Sequence, residues 1–515
     1  MDVLLEIVEI LMKQPNEHQK LINASFSSST QMSKLYKGIC EGVVRDDHEA
    51  RMHLYNSPKS TSKYYEVKRR LKSRLVDCLV IRSNHNEPSF NTQDAYYSCL
   101  KTWIAARILT LEQAQHASSK LLETVLPISQ KYEFTDVTIL VAQQLIAYYA
   151  VHNPSEFKYD YCSKLITASH HILAAESSAE IAYFDLLILF ARSQSSISEV
   201  SVKSIRAKHD NILSKYKNVT SGRFIRMSFL YEITCAEILC QNKKAYELCL
   251  NATKSLSKKP YQAPGAQLSI DLRALANLVR LGRFEEGEEI AIAQLQLWSH
   301  HRSNWHTISF YYFVLNCHAR EYTKAYKTMD NSLRHSAFIN LHEHIKQLWY
   351  INQAYTHFFL QCGKVDLTEE ESLQIKKFRI YKFLNEVPIY SKDKKGVNIS
   401  ILIIQILFFV WEKKYRQVQD RINSLNRYCK KYLTEGSTYR SHCFIKMLVQ
   451  LAKADMHPLR GQRYAKNFHD KLLAMPLAKS RQAIEVEIVP YEHLWEMILE
   501  MCGTNSRKIK SAATP

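Results

Sequence analysis

The chain has 515 residues, 23% of them charged, and its 69 Lys and Arg exceed its 50 Asp and Glu to give a net charge of +19. At this length core burial is not limiting, so either about two to four compact domains or one long repeat array could form. Only 11 Gly and 12 Pro punctuate the sequence, which argues against a fold with many tight turns and for helices joined by short polar loops.

The positive surplus suits anionic partners, whether nucleic acid, anionic lipid or an acidic protein, without choosing among them. Twelve cysteines form no CxxC or CxC pair. In a large helical chain this points to reduced, buried thiols and a cytoplasmic location rather than to a disulfide framework or a zinc site. Met1 to Met12 is apolar, but Asp2, Glu6 and Glu9 interrupt it and no basic region precedes it, so it reads as an amphipathic helix and not a signal peptide.

In chain order, the first helix runs from Val3 to Met12 and is followed by a polar loop near Ser25 to Thr30. Asp46 to Tyr55 is a short helix, Asn56, Ser57 and Pro58 a turn, and Thr61 or Ser62 caps a helix through Val80. In that helix Val67, Leu71, Leu75 and Leu79 form an apolar face, and Lys68, Arg69, Arg70, Lys72 and Arg74 take the other sides. A helix, a turn and a basic helix outline a helix-turn-helix whose cations would contact phosphates and guanine edges. The plainer alternative is a solvated basic helix, and the turn is longer than the usual three or four residues.

After a polar linker at Ser83 to Thr92, helical stretches follow at Asp94–Ile108, Leu111–Lys131, Thr135–Val151 and Phe157–Ala174. Four later segments share one scheme, a polar turn, usually an aromatic, two polar residues and a small or apolar residue. They are Gln241 to Ala245, Gly282 to Gly287, Arg320 to Ala325 and Lys413 to Val418. The scheme resembles the inter-helix turn of a tetratricopeptide repeat, although the steps of 287 − 245 = 42 and 325 − 287 = 38 residues exceed the usual ~34. Between two units, Leu256 to Gln267 holds two prolines and a glycine and is the candidate hinge or mobile loop. Thr368 with Glu371 forms a capping box.

The stretch from Phe378 to Leu433 reads as two helices broken at Glu412 to Lys414, with apolar Ile399 to Trp411 in the first and a stripe at Val418, Ile422 and Leu425 in the second. That apolar run is 13 residues long with Gln405 near its middle. It falls short of the ~18 needed to span a bilayer, so it is a helix buried in the stack. Ile484, Val486 and Ile488 alternate with Glu485 and Glu487, which suggests a short extended segment before a last helix at Tyr491 to Met501. Gly503 to Pro515 reads as a disordered basic tail.

Phe378 to Leu433, with KFLNEVP, SKDKKG and ILIIQILF, and Ile484 to Glu500, IEVEIVPYEHLWEMILE, together with LYNSPKSTSKYYEVKRRLKSRLVDCL near the N-terminus, resemble an uncharacterised family of large bacterial helical proteins. The resemblance covers most of the chain and implies an N-terminal helical module followed by a tetratricopeptide-like superhelix. It implies no activity and no functional residue.

Chemistry was sought motif by motif. The Gly363-Lys364 pair is followed by Val365, so no P-loop forms, and no GxGxxG, GxSxG or HExxH occurs. His342 and His344 diverge on a helix. His300, His301 and His306 lie beside Trp298 and Trp305, a pattern that fits aromatic packing better than ligation, and the His170, His171 pair is weaker still. Glu285, Glu286, Glu288 and Glu289, like Glu369 to Glu371, are explained by favourable interaction with helix N-termini.

The reading is therefore all-α: a small N-terminal module over 1–82 with a possible helix-turn-helix, a tetratricopeptide-like α-solenoid of stacked helical hairpins over 93–502, and a disordered tail over 503–515. It names no catalytic, cofactor or metal residue and no transmembrane segment. The expected function is a non-enzymatic scaffold or adaptor that holds a protein or peptide partner in a helical groove. The alternative is a nucleic-acid-binding regulator using Lys68, Arg69, Arg70, Lys72 and Arg74. Oligomeric state is left open.

Overall fold

A computed structural model describes residues 1–12, 30–59, 62–81, 91–192, 199–299, 302–373, 378–379, 381–383, 397–414, 416–418, 420–422, 427 and 438–511. Among these residues the protein is all-helical, with no β-strand. It divides into two compact units, Met1–Leu121 and Leu122–Pro515. The division falls within a helix, whereas the composition shift that marks a linker in the sequence lies at 83–92, of which 83–90 are outside the described residues.

The first unit contains α1 (Asp2–Met12), α2 (Gln31–Cys40), α3 (Asp47–Tyr55), α4 (Ser62–Ile81) and α5 (Asn91–Leu111), and α6 (Gln115–Lys131) begins in it. Leu4, Val8 and Leu11 of α1 follow a helical period and pack with Leu35 and Ile39 of α2, Leu54 of α3 and Leu71 and Leu75 of α4. Asp46 caps α3 by accepting from the Glu49 amide, and Asn56 ends it in the left-handed region at φ 50°.

The second unit continues with α7 (Thr135–Val151), α8 (Glu156–Arg192), α9 (Glu199–Ser214), α10 (Gly222–Ile238), α11 (Asn242–Leu256), α12 (Pro264–Leu281), α13 (Phe284–Leu297), α14 (Arg302–His318), α15 (Tyr322–Arg334), α16 (Glu343–Gln361), α17 (Glu369–Leu373), α18 (Val397–Trp411), α19 (Tyr439–Lys453), α20 (Pro458–Ala474) and α21 (Tyr491–Ser511). Two helices outrun their sequence boundaries. Residues 175–192 prolong α8 beyond Ala174 because they contain neither Pro nor Gly. Within the segment read as a tail, residues 503–511 continue α21 to Ser511, since they contain no proline and their Arg and Lys favour a helix C-terminus.

One turn recurs along the chain. At Gln113, Glu133, Cys240, Gly282, Arg320, Gly363 and Lys413 a residue takes a left-handed φ between 56° and 70°. In each case the following amide donates five residues back, for example Gln241 to Ala236, Arg283 to Leu278, Glu321 to Asn316 and Lys414 to Phe409. This is a Schellman closure, which satisfies orphan helix carbonyls, and at all but Gly363 the next helix follows at once. The units that begin at Gln241, Gly282, Arg320 and Lys413 in the sequence all open on it.

The small residue four or so positions later also has a steric reason. Ala245 and Ala325 are fully buried, and a Cβ on Gly287 would lie 2.3 Å from Leu315 Cδ1. Consecutive helices pack against one another, and α8, α10, α12 and α14 also touch in that order, so alternate helices share a layer. Ile399 to Trp411 lies in α18, with Ile401, Ile403, Ile404 and Leu407 fully buried. Val418 and Ile422 are buried too, and Leu425 is outside the described residues. Among the described residues no helix is long and apolar enough to cross a membrane.

Candidate functional site

Segment 477–490, between α20 and α21, lies against the layer of alternate helices, and the helices hold it largely by its main chain. Asn242 Nδ2 donates to the Ala478 carbonyl at 2.6 Å and Arg280 Nη1 to that of Ser480 at 3.4 Å. Ser400 Oγ donates to the Val486 carbonyl at 3.1 Å, and His318 Nε2 to that of Glu487 at 2.9 Å. Burial pushes the His318 pKa down to about 3, so its imidazole is neutral and serves as an N–H donor. Side chains supply a second set of contacts: Tyr311 OH donates to Glu485 at 2.7 Å, and the first helical turns beyond the segment bring Glu496 to Arg320 and His493 to Tyr322.

The segment is not extended as its alternating sequence suggests. The amides of Val486 and Glu487 both turn back to the Ala483 carbonyl, which buries Ile484, Ile488 and Val489 on one side and Glu487 on the other. A buried carboxylate needs a cation and full hydrogen bonding to be tolerated. Arg440, itself 1% exposed in the first turn of α19, supplies both: Nε and Nη2 clamp Glu487 at 2.8 and 2.6 Å, and Nη2 also reaches Glu492 at 2.7 Å. Its Nη1 donates to the carbonyls of Met475 and Leu472. Gln482 and the Tyr491 amide complete the shell around Glu487. These carboxylates hold the Arg440 guanidinium more firmly charged than usual even though burial works against it. Sequence reasoning missed this cluster because its members are 47 and 52 residues apart. The one available signal was a glutamate set between isoleucines and valines.

The layer continues past the segment towards α8. Arg273 on α12 bonds Glu237 at 2.8 Å and reaches the Tyr183 hydroxyl at 3.4 Å, with Asn277 also on Glu237. Arg223 pairs with both oxygens of Glu180, at 2.8 and 2.9 Å. On α8 itself Ile181, Phe184 and Ile188 are about half exposed and stand on one side of the helix. The loop from Leu256 to Gln267, the candidate hinge, is attached to Glu133 at two points. Lys259 and Tyr261 both bond Glu133, whose Oε2 also caps the α10 amide of Gly222 at 2.7 Å.

The basic residues singled out in the sequence all lie on α4. Lys68 donates to Asp47 at 2.6 Å and Arg70 pairs with Glu66, while Arg69, Lys72 and Arg74 are exposed. Although burial works against ionisation, hydrogen bonds from Lys68 and Tyr64 hold the Asp47 carboxyl well below the usual range. At 3.6 residues per turn, Arg69, Arg70, Lys72 and Arg74 fan over roughly 200° of the helix, wider than one groove-facing stripe. Tyr65, Val76 and Val80 are exposed among them.

Of the histidine group, His300 and His301 are outside the described residues. His306 is fully buried, with ring centroids 4.9 Å from Trp305, 5.2 Å from His335 and 6.1 Å from Trp349, and burial lowers its pKa to about 4. Aromatic packing is its role. Among the described residues no group of three His, Cys, Asp or Glu is arranged to hold a metal ion.

No protein-family model, curated protein or solved structure matches the chain.

Proposed function

We propose that the protein is a non-enzymatic scaffold or adaptor whose second unit is a tetratricopeptide-like solenoid, binding a peptide segment of a partner protein along its layer of alternate helices. The observation that carries this reading is the mode in which the chain's own segment 477–490 is held. Asn242, Arg280, Ser400 and His318 all donate to its backbone carbonyls, a recognition tolerant of side-chain sequence and suited to peptide binding, while Arg440 holds the Glu487 side chain. The recurrent Schellman turn and the contacts among α8, α10, α12 and α14 support a stack of hairpins with one continuous inner layer. Every described cysteine is a free thiol, which supports a reducing cytoplasmic setting. The nucleic-acid alternative draws on Arg69, Arg70, Lys72 and Arg74 of the first unit and has less support, because Lys68 is committed to Asp47.

Selection of displayed random peptides on the full chain tests the scaffold reading. Selected peptides should compete with one another and photocross-link to α8, α10 and α12. Failure to enrich any sequence, or cross-links confined to other helices, overturns it.

A further inference from the structure

Arg226 stands on α10, one turn after Arg223, and is only partly exposed. Its nearest carboxylate, Glu180, has both oxygens engaged by Arg223, and no other described residue accepts a hydrogen bond from the Arg226 guanidinium. Arg273, by contrast, has Glu237, and Arg206 has Asp210 and Glu232. Arginine does not shed its proton at working pH. The layer therefore carries at this point a permanent, partly buried charge whose neighbouring carboxylate is already hydrogen-bonded to a second arginine.

Its position matters as much as its charge. From Glu485 of the chain's own segment the layer runs to Tyr311 on α14, then to the adjoining α12, whose Arg273 reaches Tyr183 on α8, and to Arg226 on α10, which packs between α12 and α8. Phe184 is exposed one residue beyond Tyr183, with Ile181 and Ile188 on the same side of α8. The covered end of the layer lies against glutamates interspersed with Ile484, Val486 and Ile488, and the α8–α10 end carries both a cation, Arg226, and exposed apolar residues.

We propose that the α8–α10 end of the layer, centred on Arg226, binds an acidic segment of a partner protein in which glutamate or aspartate is interspersed with apolar residues. The carboxylate would take a charge-assisted bond from Arg226, and the apolar residues would cover Phe184 and Ile188. This rests on the scaffold reading and adds to it the chemical class of the partner and the residue that selects it. Continuity with the segment already bound favours a peptide over nucleic acid.

The test is fluorescence anisotropy on the full chain. The probe is a labelled peptide of about twelve residues alternating glutamate with valine and alanine, and its comparison is the same peptide with glutamine. The acidic peptide should bind at least about tenfold more tightly than the neutral one, corresponding to one charged hydrogen bond. Arg226→Gln should remove most of that difference, and Arg226→Lys should keep part of it. Both variants are first shown to melt at the wild-type temperature, and Arg69→Gln serves as the cation control outside this layer. Equal binding of acidic and neutral peptides, or no binding of either, refutes the acidic partner. Selection of apolar or basic peptides by the display experiment would also refute it, and would leave the scaffold reading standing. Acid-selective binding unchanged by Arg226→Gln refutes the site. Arg226-dependent binding of labelled oligothymidylate without peptide binding shows that the anion is nucleic acid, and refutes the proposal.

Discussion

Asp271 offers the sharpest test of how the second unit balances its buried polar groups. Its carboxylate accepts from Gln267 and Gln294, each at 2.7 Å, and Gln294 in turn accepts from the indole of the buried Trp298 at 3.0 Å. Cys249 is a neighbour, but among the described residues no cation bonds the carboxylate, and burial raises its pKa from 3.8 to about 6. The folded chain therefore holds this proton more tightly than the unfolded chain does. The associated stability is complete below about pH 4 and is lost as pH rises through about 6. A shift of about two units corresponds to roughly 3 kcal/mol. Asp271→Asn should abolish this slope between pH 4 and 6. At pH 8 the variant should be more stable than wild type by about 1–2 kcal/mol, the ionisation cost less about one neutral hydrogen bond mismatched by the amide. Urea unfolding at pH 4.5, 6 and 8, followed by tryptophan emission, measures both. An unchanged pH slope in the variant, or a loss of stability at pH 8 as large as at pH 4.5, would show that Asp271 is compensated by a group the argument has overlooked.

Three further predictions concern the framework. Arg440→Ala leaves Glu487 buried without its cation and should cost about 3–5 kcal/mol, read as a fall in urea midpoint. A cost below about 1 kcal/mol would mean that water reaches the cluster. Lys413→Gly relieves a left-handed residue at φ 57°; after the entropy gained by the unfolded chain, it should stabilise by about 0.5 kcal/mol, whereas Lys413→Val should destabilise by at least ~1 kcal/mol. Gly287→Ala places a Cβ against the buried Leu315 and should cost about 1–3 kcal/mol, lowering the melting temperature. No change there would show that Leu315 can swing clear.

Helix class was legible because it depends on local quantities. Scarce glycine and proline, the stripe of Leu71 and Leu75, and the Thr368–Glu371 capping box, whose reciprocal bonds form at 2.9 and 3.2 Å, need only near neighbours. Four of the recurrent turns were legible too, since a polar turn followed by a small residue marks them. The turns at Gln113 and Glu133 are not legible because their left-handed residues are not glycine, so the residue type does not announce the backbone conformation, and Gly363 lacks the small or apolar residue five positions on that marks the four legible turns.

What the sequence determined alone is that the chain forms helices and where most of them start, because capping and hydrophobic period act within a few residues. Tertiary structure decided which side chains meet. Arg440 and Glu487, or Asn242 and Ala478, lie 47 and 236 residues apart, and nothing local to either residue specifies its partner. A glutamate that alternation would expose is instead buried, because its charge is matched by an arginine that only the packing of α19 brings beside it.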